Sequence, residues 1–145
     1  MSIDTERFST VPLFEGLNPS EIMGVLKIAE DVTANAGEAI VKEGDPGDGF
    51  YVIGKGAFDV VKGDVDNALA RLEELSFFGE MSLVSHEPRT ASVICVEAGR
   101  LKKFPLEAFT KMIEEESPVA FKVIHNMARM MAHRLARLEE RMAGE

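Results

Sequence analysis

The stretch FFGEMSLVSHEPRTASV, Phe77 to Val93, breaks the pattern of the sequence around it. On either side, apolar and polar residues alternate with a period of two between glycine-rich turns, the mark of half-buried strands. Inside the stretch, Gly79-Glu80-Met81-Ser82-Leu83-Val84 reads as a strand exit that turns into one turn of helix. Glycine permits a sharp turn and lets a ligand approach the backbone closely. The first amides of a helical turn have no internal partner, and the turn's positive end favours an anion such as phosphate. Glu80, beside such a site, would repel phosphate, and it makes sense facing a neutral donor such as a sugar hydroxyl. Arg89, after the loop Ser85-His86-Glu87-Pro88, carries the planar fork that pairs with a phosphate. Donor amides, one carboxylate and one arginine together describe a sugar phosphate with a free hydroxyl beside a singly charged phosphate.

Outward from this stretch, the period of two extends from Val32 to about Phe104. Ala39-Ile40-Val41 and Phe50-Tyr51-Val52-Ile53 flank a run dense in turn formers, Glu43 to Gly49, in which Asp45 and Asp48 read as turn residues. Gly54-Lys55-Gly56 predicts a hairpin turn leading into Ala57-Phe58-Asp59-Val60-Val61. Lys62 to Asn67 predicts another turn, before a strand over Ala68 to Leu72. Ala91 to Val96 and Leu101 to Phe104 read as two strands across Glu97-Ala98-Gly99-Arg100. The total is seven or eight short strands, a β-sandwich or small barrel.

Helices bracket the strands. Asn18, Pro19 and Glu21 give an N-cap, a first-turn proline and a capping-box acid. The helix they start has Ile22, Val25, Leu26 and Ala29 on one face and is expected to end near Asp31. Pro105 opens a helix over Leu106 to Glu116, and Pro118 starts another that runs toward the C-terminus. Along the latter, Ile124, Ala128, Met131, Leu135, Leu138 and Met142 recur at alternating steps of four and three, a seam of nearly three heptads. Such a Met-rich tail reads as core or dimer seam before it reads as a ligand lid.

The chain of 145 residues suits one domain with room for an appended helix. Its net charge of −9 gives no generic attraction for nucleic acid or an anionic membrane, so neither is expected as a direct partner. No apolar run reaches the roughly 20 residues of a membrane-spanning helix, and no leader pattern is seen at the start, so a cytoplasmic location is expected. Cys95, the one cysteine, lies in the apolar run Val93-Ile94-Cys95-Val96 and reads as a small core residue. His86, His125 and His133 have no metal-ligand spacing, and no metal is expected. His86, in the loop before Arg89, is expected to be solvated.

Phe78-Gly79-Glu80-Met81-Ser82-Leu83 followed by Arg89-Thr90-Ala91 resembles the phosphate-binding cassette of the cyclic nucleotide-binding domain family. This is the β-roll module of bacterial catabolite regulators, cyclic-nucleotide kinases and cyclic-nucleotide-gated channels. The resemblance runs from Leu13-Phe14 through the helical tail and includes the Gly44-Asp45 and Gly54-Lys55-Gly56 turns. It implies an α+β fold: a β-roll, a jelly-roll-like double-stranded β-helix of about eight strands, flanked by an N-terminal helix and C-terminal helices. The expected parts are a flexible N-terminus (1–10), the cyclic nucleotide-binding roll with its first two helices (11–117), and a lid or dimerisation helix (118–145).

By the same resemblance the ligand is cAMP or cGMP and the chain is not an enzyme. Glu80 would accept the ribose 2′-hydroxyl and Arg89 would pair with the exocyclic phosphate oxygens. The amides of Gly79, Met81, Thr90 and Ala91 would complete the cradle beside Phe78 and Ser82. The Thr90 hydroxyl stands where the family can contact a phosphate oxygen or a syn guanine. Val60, Leu69 and Leu72 match apolar positions near the base, with Met131 and Arg134 as candidates from the last helix. One departure stands out: Leu75-Ser76 replaces the glycine-bearing entry common in the family, so that turn must be built without glycine. The expected role is a regulatory module that moves its C-terminal helix on binding, with Phe104 to Phe121 as hinge, an unidentified effector, and a homodimer through the last helix. Competing readings are the sensor of a Crp/Fnr-type transcription regulator without its DNA-binding domain, a vestigial interaction domain, and a cupin-type metalloenzyme. Direct DNA binding is disfavoured unless the chain is a fragment of a longer protein, since such a domain needs about 60–80 further residues. The cupin reading lacks the clustered histidines it needs.

Overall fold

The computed structural model describes residue 8 and residues 10–63, 68–85 and 87–143. The expected flexibility of the N-terminus, most of the turn before Asn67 and the exposure of His86 fall largely or wholly outside those residues. A 3₁₀ turn, Pro12–Phe14, precedes helix α1, Pro19–Leu26. The α1 cap is the capping box read from the sequence: the Glu21 amide donates to Asn18 Oδ1 at 2.8 Å, and the Asn18 amide to Glu21 Oε1 at 3.0 Å. The helix stops short of the expected Asp31, because Glu30 and Asp31 open strand β1, Glu30–Ala34, paired with Lys103 and Lys102.

Five more strands follow: β2 (Ala39–Val41), β3 (Gly49–Val61), β4 (Ala70–Leu72), β5 (Phe77–Phe78) and β6 (Ser92–Pro105). All pairings are antiparallel, in the order β1-β6-β3-β4, with β2 on β6 and β5 on β3. The α+β class is as the resemblance implies. The described residues hold six strands where the sequence suggests about eight, because two apparent turns are interior to long strands. Gly54-Lys55-Gly56 does not reverse the chain. The register of β3 against β6 shifts there, between Ile53 and Phe58, opposite Glu97 to Arg100. Gly56, at φ +100°, lets the two backbones close at this bulge; a Cβ there would meet Glu97 O at 2.6 Å.

The period of two sorts side chains between two cores. On β3, Tyr51, Ile53 and Phe58 face an inner cluster with Ala34, Val41, Phe78, Val93, Cys95 and Leu101. Phe50 and Val52 face the opposite way, into a helical cluster with Phe14, Ile22, Val25, Phe104, Phe109, Val123 and Met127. On β5, adjacent Phe77 and Phe78 go one to each cluster, Phe77 to the helices and Phe78 to the interior, where it stacks on Tyr51 at 4.9 Å.

Helix α2 is Leu106–Glu114 and α3 is Pro118–Ala143. Glu116, at φ +57°, ends α2 in a left-handed cap without glycine, with the Ser117 amide bonded to Met112 O at 3.0 Å. α3 is latched onto the N-terminal segment along one face. Buried Asn126 donates from Nδ2 to Leu13 O at 2.9 Å and to Glu15 O at 2.8 Å. Lys122 pairs with Glu21 at 3.0 Å, and Arg129 pairs with Glu15. No helix of the described residues is long and apolar enough to cross a membrane.

Candidate functional site

Entry to the site is a strained turn. Leu75 takes φ +73°, a left-handed conformation that costs a branched residue of order 1 kcal/mol or more. It is fixed by two backbone bonds to β3, Leu75 N to Ile53 O at 2.8 Å and Ile53 N to Ser76 O at 2.9 Å. Its side chain packs against the helical cluster. The turn expected to lack glycine is thus held by tertiary pairing and packing. Then β5 ends, Gly79 turns the chain at φ +82°, and Glu80–Leu83 makes one 3₁₀ turn, as the sequence predicts.

Arg89 reaches back from the following loop and is mostly buried, with 8% of its side chain exposed. Nη1 donates to Gly79 O at 3.1 Å, and Nη2 to Gly49 O at 2.9 Å and Asp48 Oδ1 at 3.0 Å. A Cβ on Gly79 would come within 2.8 Å of Nη1, so glycine is required for this approach as well as for the turn. Ser82 is buried, with Oγ 3.1 Å from Gly49 O and 2.9 Å from Gly79 O. The Arg89 backbone is fixed too: its amide donates to Asp45 O at 2.8 Å and its carbonyl accepts from Gly44 N at 2.9 Å. The turn-forming run Glu43 to Gly49 therefore serves as the frame of the arginine.

The acid that pairs with Arg89 is Asp48. Beyond the turn role read from sequence, Asp48 accepts from Arg89 with one oxygen and from Lys103 Nζ with the other, at 2.6 Å. Burial alone would push its pKa up; Lys103 and then Arg89 outweigh that and hold it below the usual value. Glu80 is left facing the cavity. Burial raises its pKa, against the smaller opposing effects of Arg134, the backbone of Glu80 and Met81, and Arg89.

A cavity of about 110 Å³ is lined by Gly79, Glu80, Met81, Ser82, Arg89, Thr90 and Ala91, with Val41, Gly47, Ser85, Glu87 and Pro88. Of the sequence-derived candidates, these first seven are brought together. Phe78 lies behind them in the inner cluster. The base-side candidates do not line the cavity. Val60 and Leu72 pack on the inner cluster, and Leu69 is 61% exposed just before β4. Met131 packs on the helical cluster, and the Arg134 guanidinium lies 4.7 Å above the Phe77 ring. The cavity is smaller than an ordinary small-molecule pocket, which runs to roughly 300–1,000 Å³. Asp48 and Lys103 escaped the sequence reading, since 41 and 14 residues separate them from Arg89. Ser85, Glu87 and Pro88 sit inside the quoted stretch and could have been named from it.

A family model described as cyclic nucleotide-binding domain matches residues 31–116. The cAMP-dependent protein kinase regulatory subunit of Aspergillus niger is 30% identical over 103 residues, covering 71% of this chain and 25% of that protein. This chain thus spans about a quarter of the length of such relatives. The crystal structure of the Thermus thermophilus catabolite activator protein matches with a TM-score of 0.78 and 30% identity, covering 91% of this chain and 62% of that one. A cyclic nucleotide-binding domain from Methylobacillus flagellatus has the same fold, with a TM-score of 0.81 at 22% identity, over 96% of this chain and 80% of that one.

Proposed function

The chain belongs to the cyclic nucleotide-binding domain family, and from that premise we propose that it is a regulatory module that binds cAMP or cGMP in the Gly79–Ala91 cradle. The observation that carries the proposal is Arg89: a mostly buried arginine in the lining of a cavity whose walls also include Glu80, Thr90 and the 3₁₀ turn. Arg89 takes the cyclic phosphate, as charge-assisted pairing with a phosphate requires. Glu80 takes the ribose 2′-hydroxyl, for which a buried carboxylate is a strong acceptor. Thr90, exposed at the rim, is the candidate for discrimination between the two bases. Replacing Arg89 with leucine is expected to abolish displacement of a fluorescent cyclic nucleotide analogue by cAMP and cGMP. Binding that survives unchanged in Arg89→Leu refutes the role of the cradle.

The output we assign to α3. The heptad seam leaves the body after Met131, and Leu135, Leu138 and Met142 are exposed at 58%, 47% and 74%. An apolar stripe so placed favours a homodimer or a partner-docking helix. Ligand entry beside Phe77 and Glu80 bears on Arg134, and so biases the position of α3 between pre-existing arrangements. Truncation after Arg134 leaves the cradle whole. Light scattering that gives an unchanged mass on truncation removes the seam from the dimer account. Similarity to a kinase regulatory subunit and to a catabolite activator supports a larger effector that receives this motion.

A further inference from the structure

The cavity holds more negative charge than an anion site needs. Of the residues that line it, the charged ones are Arg89, Glu80 and Glu87, one cation against two acids, with Arg134 of α3 bearing on Glu80 from outside the lining. Arg89 is already shared with Asp48 at 3.0 Å, and the Lys103 ammonium is taken by the other Asp48 oxygen at 2.6 Å. Glu80 has a partner in the proposed function, the ribose hydroxyl. Glu87 has none there. It stands two residues before Arg89 with its amide donated to Ser85 Oγ at 3.1 Å, in the wall of the same cavity.

Resting on the proposed function, we propose that Glu87 sets the charge selectivity of the site. It admits a nucleoside phosphate with one negative charge, the cyclic diester, and rejects the doubly charged 5′-monophosphate of the same nucleoside. A cyclic diester has no second ionisable oxygen. A phosphate monoester loses a second proton near pH 6 and is a dianion above it. Arg89 balances one charge. The second would face Glu87, and no other cation lines the cavity among the described residues. Repulsion of the wrong ligand is an ordinary source of specificity. At an exposed, salt-screened position it amounts to a factor of roughly three to ten.

The test is competition against a fluorescent cyclic nucleotide analogue on the intact protein, wild type against Glu87→Gln. The competitors are the tighter-binding cyclic nucleotide and its 5′-monophosphate, at about pH 8 and about pH 5.5. Glu87→Gln is expected to leave the cyclic nucleotide within about twofold and to tighten the monophosphate roughly three- to tenfold at the higher pH. At the lower pH, where the monophosphate is a monoanion, that gain disappears. Glu80 and Arg89, with Arg134, Asp48 and Lys103 around them, are common to both proteins and cancel in the ratio. A ratio unmoved at high pH, a monophosphate that competes with neither protein, or a gain that persists equally at low pH overturns the role of Glu87 and leaves cyclic nucleotide binding standing. A wild type that binds neither cAMP nor cGMP overturns the proposed function itself, and this inference with it.

Discussion

Arg89 and Ser82 converge on the same two carbonyl oxygens. Gly49 O lies 2.9 Å from Arg89 Nη2 and 3.1 Å from Ser82 Oγ, and Gly79 O lies 3.1 Å from Arg89 Nη1 and 2.9 Å from Ser82 Oγ. The 3₁₀ turn and the arginine loop are therefore bolted to the end of β3 at one point, and the two bolts are unequal. Ser82→Ala removes a neutral donor while Arg89 still serves both oxygens, so a stability loss of about 1 kcal/mol is expected, with binding retained. Arg89→Leu strips the charged donor from both carbonyls and from Asp48. Denaturant melts are expected to show a loss of about 1–3 kcal/mol, and cyclic nucleotide affinity should fall at least about 100-fold. If Ser82→Ala weakens binding as much as Arg89→Leu does, the arginine acts on the fold and not on the phosphate.

Glu80→Gln should separate stability from function. Burial disfavours the ionised carboxylate in the folded protein, so its folded-state pKa lies above the unfolded value. The fold therefore pays a penalty that sets in as pH rises above about 4.5 and is relieved as pH falls again. The glutamine variant escapes it: Tm of the ligand-free protein is expected to rise at pH 7 and to match wild type near pH 4. Cyclic nucleotide affinity should nonetheless drop by about tenfold, the worth of a charge-assisted bond to the 2′-hydroxyl. A variant that gains stability and loses no affinity would take Glu80 out of the ligand contacts.

Asp48 has the opposite sign. Lys103 and Arg89 hold its pKa below the ordinary 3.8, so it stabilises the fold above that value and the contribution is lost as pH falls through the folded-state pKa. Asp48→Asn is expected to lower stability at pH 7 by less than about 1 kcal/mol, since 59% of the side chain is exposed. The gap to wild type should close toward pH 3. A gap of the same size at both pH values would mean that the aspartate matters by shape alone.

What the sequence discloses is what local chemistry decides. Phe77-Phe78 before Gly79 could be read as a strand end, because two adjacent large apolar side chains on a strand need a core on each face. The capping box at Asn18 and Glu21 is complete within four residues. What it hides depends on distant partners. Gly54-Lys55-Gly56 has the composition of a hairpin turn, and whether such a triplet reverses the chain or bulges is settled by β6, more than 30 residues on. Asp48 sits in a run of turn formers, and its pairing with Arg89 and Lys103 exists only once β3 and β6 are side by side. The α1 helix ends earlier than its sequence suggests for the same reason: Glu30 and Asp31 fit an exposed helical face, but strand pairing claims them.

Asn126 tests how α3 is seated. Its side-chain amide fills two carbonyls, of Leu13 and Glu15, which have no other donor from α3. Asn126→Ala should cost about 1–3 kcal/mol by taking the donor from the buried Leu13 carbonyl and the partly buried Glu15 carbonyl, while Arg129→Ala, which removes an exposed ion pair with Glu15, should cost less than about 1 kcal/mol. Thermal melts of the two variants rank them directly. The reverse ranking would place the hold on α3 in surface charge and not in the buried amide.

In the proposed function, the Gly79–Ala91 cradle takes a cyclic nucleotide through Arg89. Calorimetric titration of cAMP and of cGMP into the intact protein tests it most directly. Saturable binding of at least one of them is predicted, with a stoichiometry of one per chain. No heat with either nucleotide at millimolar concentration contradicts it.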